Sequence, residues 1–92
     1  MTALKLTDNH SLLIECHNKK LRLVITDGIT ELACRKETSG KLNNFLSSTE
    51  ANLFKGRLQL HKKLATIDLL LKGNHIGCVT TAELKEAVTL SS

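Results

Sequence analysis

Between Ala3 and Cys34 the apolar side chains recur at every second residue. Leu4 and Leu6 alternate with Ala3, Lys5 and Thr7, and Leu12, Ile14 and Cys16 alternate with Leu13, Glu15 and His17. Leu21, Leu23 and Ile25 alternate with Arg22, Val24 and Thr26, and Thr30, Leu32 and Cys34 close the set. A period of two is that of a strand with one face buried. The runs are separated by turn chemistry: Asp8-Asn9-His10, His17-Asn18-Lys19 and Asp27-Gly28, the last a two-residue hairpin signal because both central positions favour positive φ. Short strands joined by short turns predict an antiparallel meander of four strands.

The period changes after Lys36. Ser39 can cap a short helix carrying Leu42, Phe45 and Leu46, and Ser47-Ser48-Thr49-Glu50 is a break and a second start. From Leu53 the apolar positions 53, 60, 64, 67 and 71 step by threes and fours, with Arg57 filling the gap, and Lys72-Gly73-Asn74 is a stop, so a long helix over about 50–72 is expected. The competing reading breaks this helix at Gly56 and makes Arg57–His61 a strand. On the helical wheel Leu58, Ala65 and Leu69 fall opposite the main stripe, so either the helix is buried on two sides or that line contacts another chain, with chain contact the favoured reading. Residues 75–79 are a short strand or a link. Thr80-Thr81-Ala82-Glu83 has the spacing of a capping box and opens a last helix with Leu84, Ala87 and Val88 on one face. Ser91-Ser92 reads as a frayed end, and no internal repeat is visible. The expected fold class is α+β: a four-stranded antiparallel sheet with two or three helices packed on one face. One domain covers 1–92, with strands over about 3–36 and helices over about 40–72 and 81–90.

Ninety-two residues suit a single domain with a thin stability margin. Proline is absent and the only aromatics are Phe45 and Phe54, so the core must be built of Leu, Ile and Val. The scarcity of aromatics also argues against a single-strand binder that stacks bases. Three cysteines, Cys16, Cys34 and Cys78, form no disulfide framework and suit a reducing compartment. MTALKLTDNHS lacks the apolar run of a signal peptide and nothing is long enough to span a membrane, so the expected location is the cytoplasm.

Catalytic and metal motifs are missing. His75-x-x-Cys78 is the one pair at metal-ligand spacing, and no second pair accompanies it. Cys16 and Cys34 are assigned to the apolar faces of their strands, and Cys16 and His17, as strand neighbours, face opposite sides. No phosphate loop, nucleophile elbow or H-E-x-x-H occurs, and the nine acids are scattered. The chain is therefore expected to be no enzyme, to take no cofactor, metal or small-molecule substrate, and to work by binding.

Charge placement carries the site reading. The formal net charge is +4. Residues 51–67 hold Lys55, Arg57, Lys62 and Lys63 with no acid, residues 16–26 hold Lys19, Lys20 and Arg22, and Arg35, Lys36 and Lys41 are near one another. A basic run is usually a solvated face; two runs without acidic partners suggest a grip on phosphates or on an acidic partner surface. A helix-turn-helix over Leu64–Val88 is the alternative, as in a small DNA-binding regulator. Its second helix, however, has no Arg, Asn or Gln to read base edges. A third reading is an oligomeric assembly protein using the Leu58–Leu69 line.

The set of strands and helices from MTALKLTDNHSLLIECH to TTAELKEAVTLSS, the proline-free basic composition and the lack of an active site resemble the small phage anti-CRISPR proteins, in particular those that inhibit the type I-F (Csy) surveillance complex. The resemblance implies a stoichiometric inhibitor that docks on Cas subunits, with or without the guide RNA backbone, and prevents target DNA recognition in the host cytoplasm. It carries no residue pattern, so the candidate contacts remain the ten basic residues named above.

Overall fold

The chain is α+β. The structure is a computed structural model in which residues 2–7, 9–49, 51–54 and 56–91 are described. Eight strands and two helices succeed one another as β1 (Thr2–Lys5), β2 (Ser11–His17), β3 (Lys20–Thr26), β4 (Glu31–Glu37), α1 (Ser39–Ser47), β5 (Asn52–Leu53), β6 (Leu58–Lys62), β7 (Thr66–Leu71), β8 (Asn74–Thr80) and α2 (Thr81–Ser91). The strands make two antiparallel meanders of four, β1-β2-β3-β4 and β5-β6-β7-β8, where one was expected. The same order, four strands and a helix, thus occurs twice, although the sequence shows no repeat. Both helices begin after a threonine and bury the fourth, seventh and eighth residues beyond it: Leu42, Phe45 and Leu46 after Thr38, and Leu84, Ala87 and Val88 after Thr80.

The first meander obeys the alternation. Leu12, Ile14, Leu21, Leu23 and Ile25 are buried on its inner face. Asn18 and Lys19 both have positive φ, as a two-residue turn between His17 and Lys20 requires. The Asp27-Gly28 hairpin is longer than its signal: Thr26 faces Glu31, only Gly28 has positive φ, and the Asp27 carboxylate accepts from the N–H groups of Ile29 and Thr30. That register shift skips Leu32 and turns Ala33 inward, which places Cys34 on the outer face. Cys16 lies on the inner side, across from the core residue Leu21. Both thiols, assigned to buried faces, are exposed.

The long helix over 50–72 does not form. β5, β6 and β7 occupy that stretch, and the helix expected over 40–72 ends at Ser47. The competing strand over 57–61 is close to β6, but the chain beyond it is more sheet. Leu58, Leu60, Ile67 and Leu69 are the fully buried positions, a period of two on each strand, and Leu64 is fully exposed at the turn between them. Two alternating runs joined by a short connection happen to mimic three-and-four spacing. Leu58 and Leu69 are therefore core, which removes the line assigned to oligomer contact. Lys72 and Gly73, both at positive φ, are the two-residue turn between Leu71 and Asn74 and no helix stop. Leu64–Val88 is a hairpin with one helix after it, so the helix-turn-helix geometry is absent.

The two meanders and both helices share one core of buried aliphatic residues around Phe45 and Phe54. The helices touch each other, and α2 lies against β1 and β2 of the first sheet as well as β8 of its own. Ser91, read as frayed, is buried; its hydroxyl donates to the Ile14 carbonyl and lies 3.1 Å from the Thr2 hydroxyl. The capping box is formed as expected: Thr80 N–H donates to Glu83, and Glu83 N–H donates to the Thr80 hydroxyl. The bonds to Thr80 hold the Glu83 carboxyl below the usual carboxylate range.

Candidate functional site: a basic seam between the sheets

The meanders meet at two seams. At the first, the end of β1 closes on β8. Thr7 N–H donates to the Ile76 carbonyl at 3.2 Å, and the Thr7 hydroxyl donates to the same oxygen at 2.8 Å. The strands come so close that a Cβ on Gly77, whose φ is +145°, would stand 2.8 Å from Leu6 Cβ.

The second seam, between β4 and β6, has no backbone hydrogen bond among the described residues. β4 is the last strand of its sheet. On the other side β5 is two residues long and pairs only with Leu60 and His61, so it does not reach Leu58. Arg57 turns its carbonyl to Lys72, across from β7. Backbone groups alternate sides along a strand, so the N–H and C=O of Leu58 point away from β7, and the residue is fully buried. The opening is a cavity of about 250 Å³ lined by Ala33, Cys34, Arg35, Arg57 and Leu58. That is smaller than the roughly 300–1,000 Å³ of drug-sized ligand pockets.

Two of the five described lining residues are arginines, and no carboxylate is among them. Arg35 lies across from Leu23 on β3, at the rim of the inner face, and its guanidinium carbon is 4.7 Å from the centroid of the Phe54 ring. Phe54 is itself buried, so the ring is a floor for the guanidinium. Gly56 leaves room for it: a Cβ there would come within 3.2 Å of Arg35 Nη1. Arg57, just before β6, is exposed. Neither arginine is ion-paired with a described residue.

The other basic residues sort into three groups. Arg22 is engaged: Nη1 donates to Glu15 at 2.6 Å and Nη2 donates to Glu31, and these carboxylates, Glu15 foremost, push its pKa up. Lys41 pairs with Glu37 at 3.6 Å and Lys63 with Asp68 at 3.8 Å. Lys62 is structural. Its ammonium donates to the carbonyls of Phe45 and Ser48 at the end of α1 and lies 4.9 Å from the Phe45 ring centroid. The acid-free run 51–67 is thus not a solvated cluster, and its Lys55 lies outside the described residues. Lys19, Lys20 and Lys36 are exposed with no ion pair to a described residue, Lys19 and Lys20 at the β2–β3 turn and Lys36 on the outer face beside Arg22.

The fold therefore joins Arg35 and Arg57, which the sequence places in different runs, and separates Arg57 from Lys62 and Lys63. Sequence reasoning missed Cys34, Leu58 and Phe54 as parts of this site. The Arg35–Phe54 contact has no local signal, because it spans the two sheets. Elsewhere, His75 Nε2 lies 3.3 Å from Asp68, which faces Cys78 across the ladder. No group of three His, Cys, Asp or Glu side chains among the described residues is placed to hold a metal. No helix among the described residues is long and apolar enough to cross a membrane. No family model, no curated protein and no solved structure matches the chain.

Proposed function

We propose that the chain is a non-enzymatic inhibitor that binds a CRISPR-Cas surveillance ribonucleoprotein in the host cytoplasm and blocks its recognition of target DNA, with the β4–β6 seam as the contact. The observation that carries the binding reading is the pair Arg35 and Arg57, two guanidiniums on one cavity with no carboxylate among its described lining residues. Unpaired arginines at a small opening favour oxyanions presented by a larger partner, since a guanidinium takes a carboxylate or phosphate through two parallel hydrogen bonds. The choice of partner rests on the resemblance to type I-F inhibitors. The exposed Lys36, with Lys19 and Lys20 on the neighbouring turn, extends the positive potential that would speed encounter with such a partner.

The test is a gel shift of target DNA by the purified type I-F surveillance complex, with and without the protein. Stoichiometric protein should suppress the shift, and Arg35→Glu with Arg57→Glu should raise the concentration needed at least tenfold. An unaltered shift at a large excess of protein would refute the partner. Suppression equally strong with the double variant would refute the seam.

A further inference from the structure

We infer that the groove between β1 and α2 takes a lysine or arginine carried on an apolar segment of a protein partner, its aliphatic stem lying along Leu4 and Leu90 and its cationic head reaching Glu83 and Glu86. The groove lies apart from the β4–β6 seam, and its occupancy does not depend on what binds there.

α2 has a side that the core does not use. Leu84, Ala87, Val88 and Ser91 are buried, whereas Glu83, Glu86 and Leu90 are exposed. With Ala87 at its inner margin, the exposed set follows the i, i+3, i+4, i+7 spacing of one helical stripe. The stripe runs beside β1, which is the edge strand of the first sheet. On that strand Thr2 and Leu4 lie across from Ile14 and Leu12, on the inner face. Between strand and helix is a cavity of about 240 Å³ whose described lining is Thr2, Leu4, Glu83, Glu86, Ala87 and Leu90. It is smaller than the roughly 300–1,000 Å³ of drug-sized ligand pockets, which suits one inserted side chain.

The lining fixes the chemistry of that side chain. No base is among the described lining residues, in a chain whose formal net charge is +4. Glu86 makes no ion pair with a described residue. Two carboxylates beside an apolar floor match a side chain that buries its stem and keeps a cationic head at the rim. The same carboxylates repel phosphate, so neither nucleic acid nor an anionic lipid surface fits. A second copy of the chain fits poorly as well. Apart from Leu90, the exposed large apolar side chains among the described residues are Ile29 and Leu64. Ile29 follows Gly28 in the turn whose carboxylate, Asp27, accepts its N–H, and Leu64 follows Lys63, which pairs with Asp68. Neither has an unpaired base next to it in the chain.

The test is a titration of the intact ¹⁵N-labelled protein with a blocked eight-residue peptide alternating Leu and Lys, followed by amide chemical shifts. The amides of Thr2, Leu4, Glu86, Ala87 and Leu90 should shift together and saturate, and a peptide alternating Leu and Glu should move none of them. Glu86→Lys and Leu90→Ser alter exposed side chains and should leave the fold intact by circular dichroism. Each should weaken the Leu–Lys peptide at least fivefold, and the two together should abolish its binding; Glu83 is kept because it caps α2. Added salt should weaken the peptide, since its charges stay near the surface. Shifts scattered away from the groove, equal binding of the Leu–Glu peptide, or undiminished binding to the double variant would each overturn the inference. Shifts of the same amides on raising the protein concentration alone would overturn it too, in favour of a second copy.

Discussion

The two seams join the same pair of sheets by different physics. At β1–β8 the connection is made by hydrogen bonds, the Thr7 N–H and hydroxyl both donating to the Ile76 carbonyl, with Gly77 admitting the close approach. At β4–β6 no backbone hydrogen bond joins the described residues, and Arg35 lies over Phe54 instead. A hydrogen-bonded seam resists opening, and its residues contribute to stability. A side-chain seam leaves the cations Arg35 and Arg57 exposed, where they remain available to a partner.

The sharpest way to break the contrast is at Gly77. Gly77→Val adds a Cβ that collides with Leu6 at a φ unsuited to side chains, and should cost about 3 kcal/mol or more, a fall in Tm of more than about 10 °C by calorimetry. A drop below about 1 kcal/mol would mean the closed seam yields easily. Next comes Lys62→Met, which leaves the Phe45 and Ser48 carbonyls without this donor and should cost about 1–3 kcal/mol in urea unfolding. A neutral result would return Lys62 to the candidate contacts. Thr7→Val keeps the backbone bond to Ile76 and loses the hydroxyl one, for about 1 kcal/mol. Arg57→Glu should change stability by no more than about 0.5 kcal/mol, and Arg35→Glu, which loses the contact with Phe54, by about 0.5–1 kcal/mol. Comparable destabilisation by Arg57→Glu and Thr7→Val would erase the distinction between the seams.

Acid should produce the smallest effect. Asp27, through the N–H groups of Thr30 and Ile29, and Glu83, through Thr80, have lowered pKa values in the fold. A carboxyl whose folded pKa is depressed stabilises above its unfolded value, and that contribution is lost as pH falls through the folded one. Tm should therefore be flat from neutral pH down to about 4.5 and decline below it. Asp27→Asn and Glu83→Gln together should flatten the decline, and an unchanged slope would assign acid sensitivity to other groups.

The first meander is legible in the sequence because its alternation is interrupted by residues that must turn. Asn18-Lys19 and Asp27-Gly28 mark where the chain reverses, and the capping box at Thr80 marks α2 equally well. The second meander is hidden by composition. Leucine is at home in helix and strand alike, and the steps from Leu53 through Leu60, Leu64 and Ile67 to Leu71 fit a helix because an exposed Leu64 stands where a core residue would. Positive φ at Lys72-Gly73 is equally consistent with a helix end and a hairpin, so the local signal does not decide. The site is half legible. Arg35 and Arg57 both stand among the basic candidates, but their convergence depends on β4 and β6 being neighbours in space. The loss of Lys62, Arg22, Lys41 and Lys63 as free contacts depends on partners that charge counting along the chain does not see.

The placement of α2 bears on how the protein is made. It covers β1 and β2, and Ser91 is tied to Ile14 and Thr2, so the first sheet acquires its cover from the far end of the chain. During synthesis the first four strands leave the ribosome long before α2 does. Until then their inner leucines have no complete shelter, and long-range closure of this kind is slow. The nascent first meander is thus the stage exposed to aggregation or chaperone capture, and a ribosome stalled before Thr81 should hold it in a form that proteases cut readily.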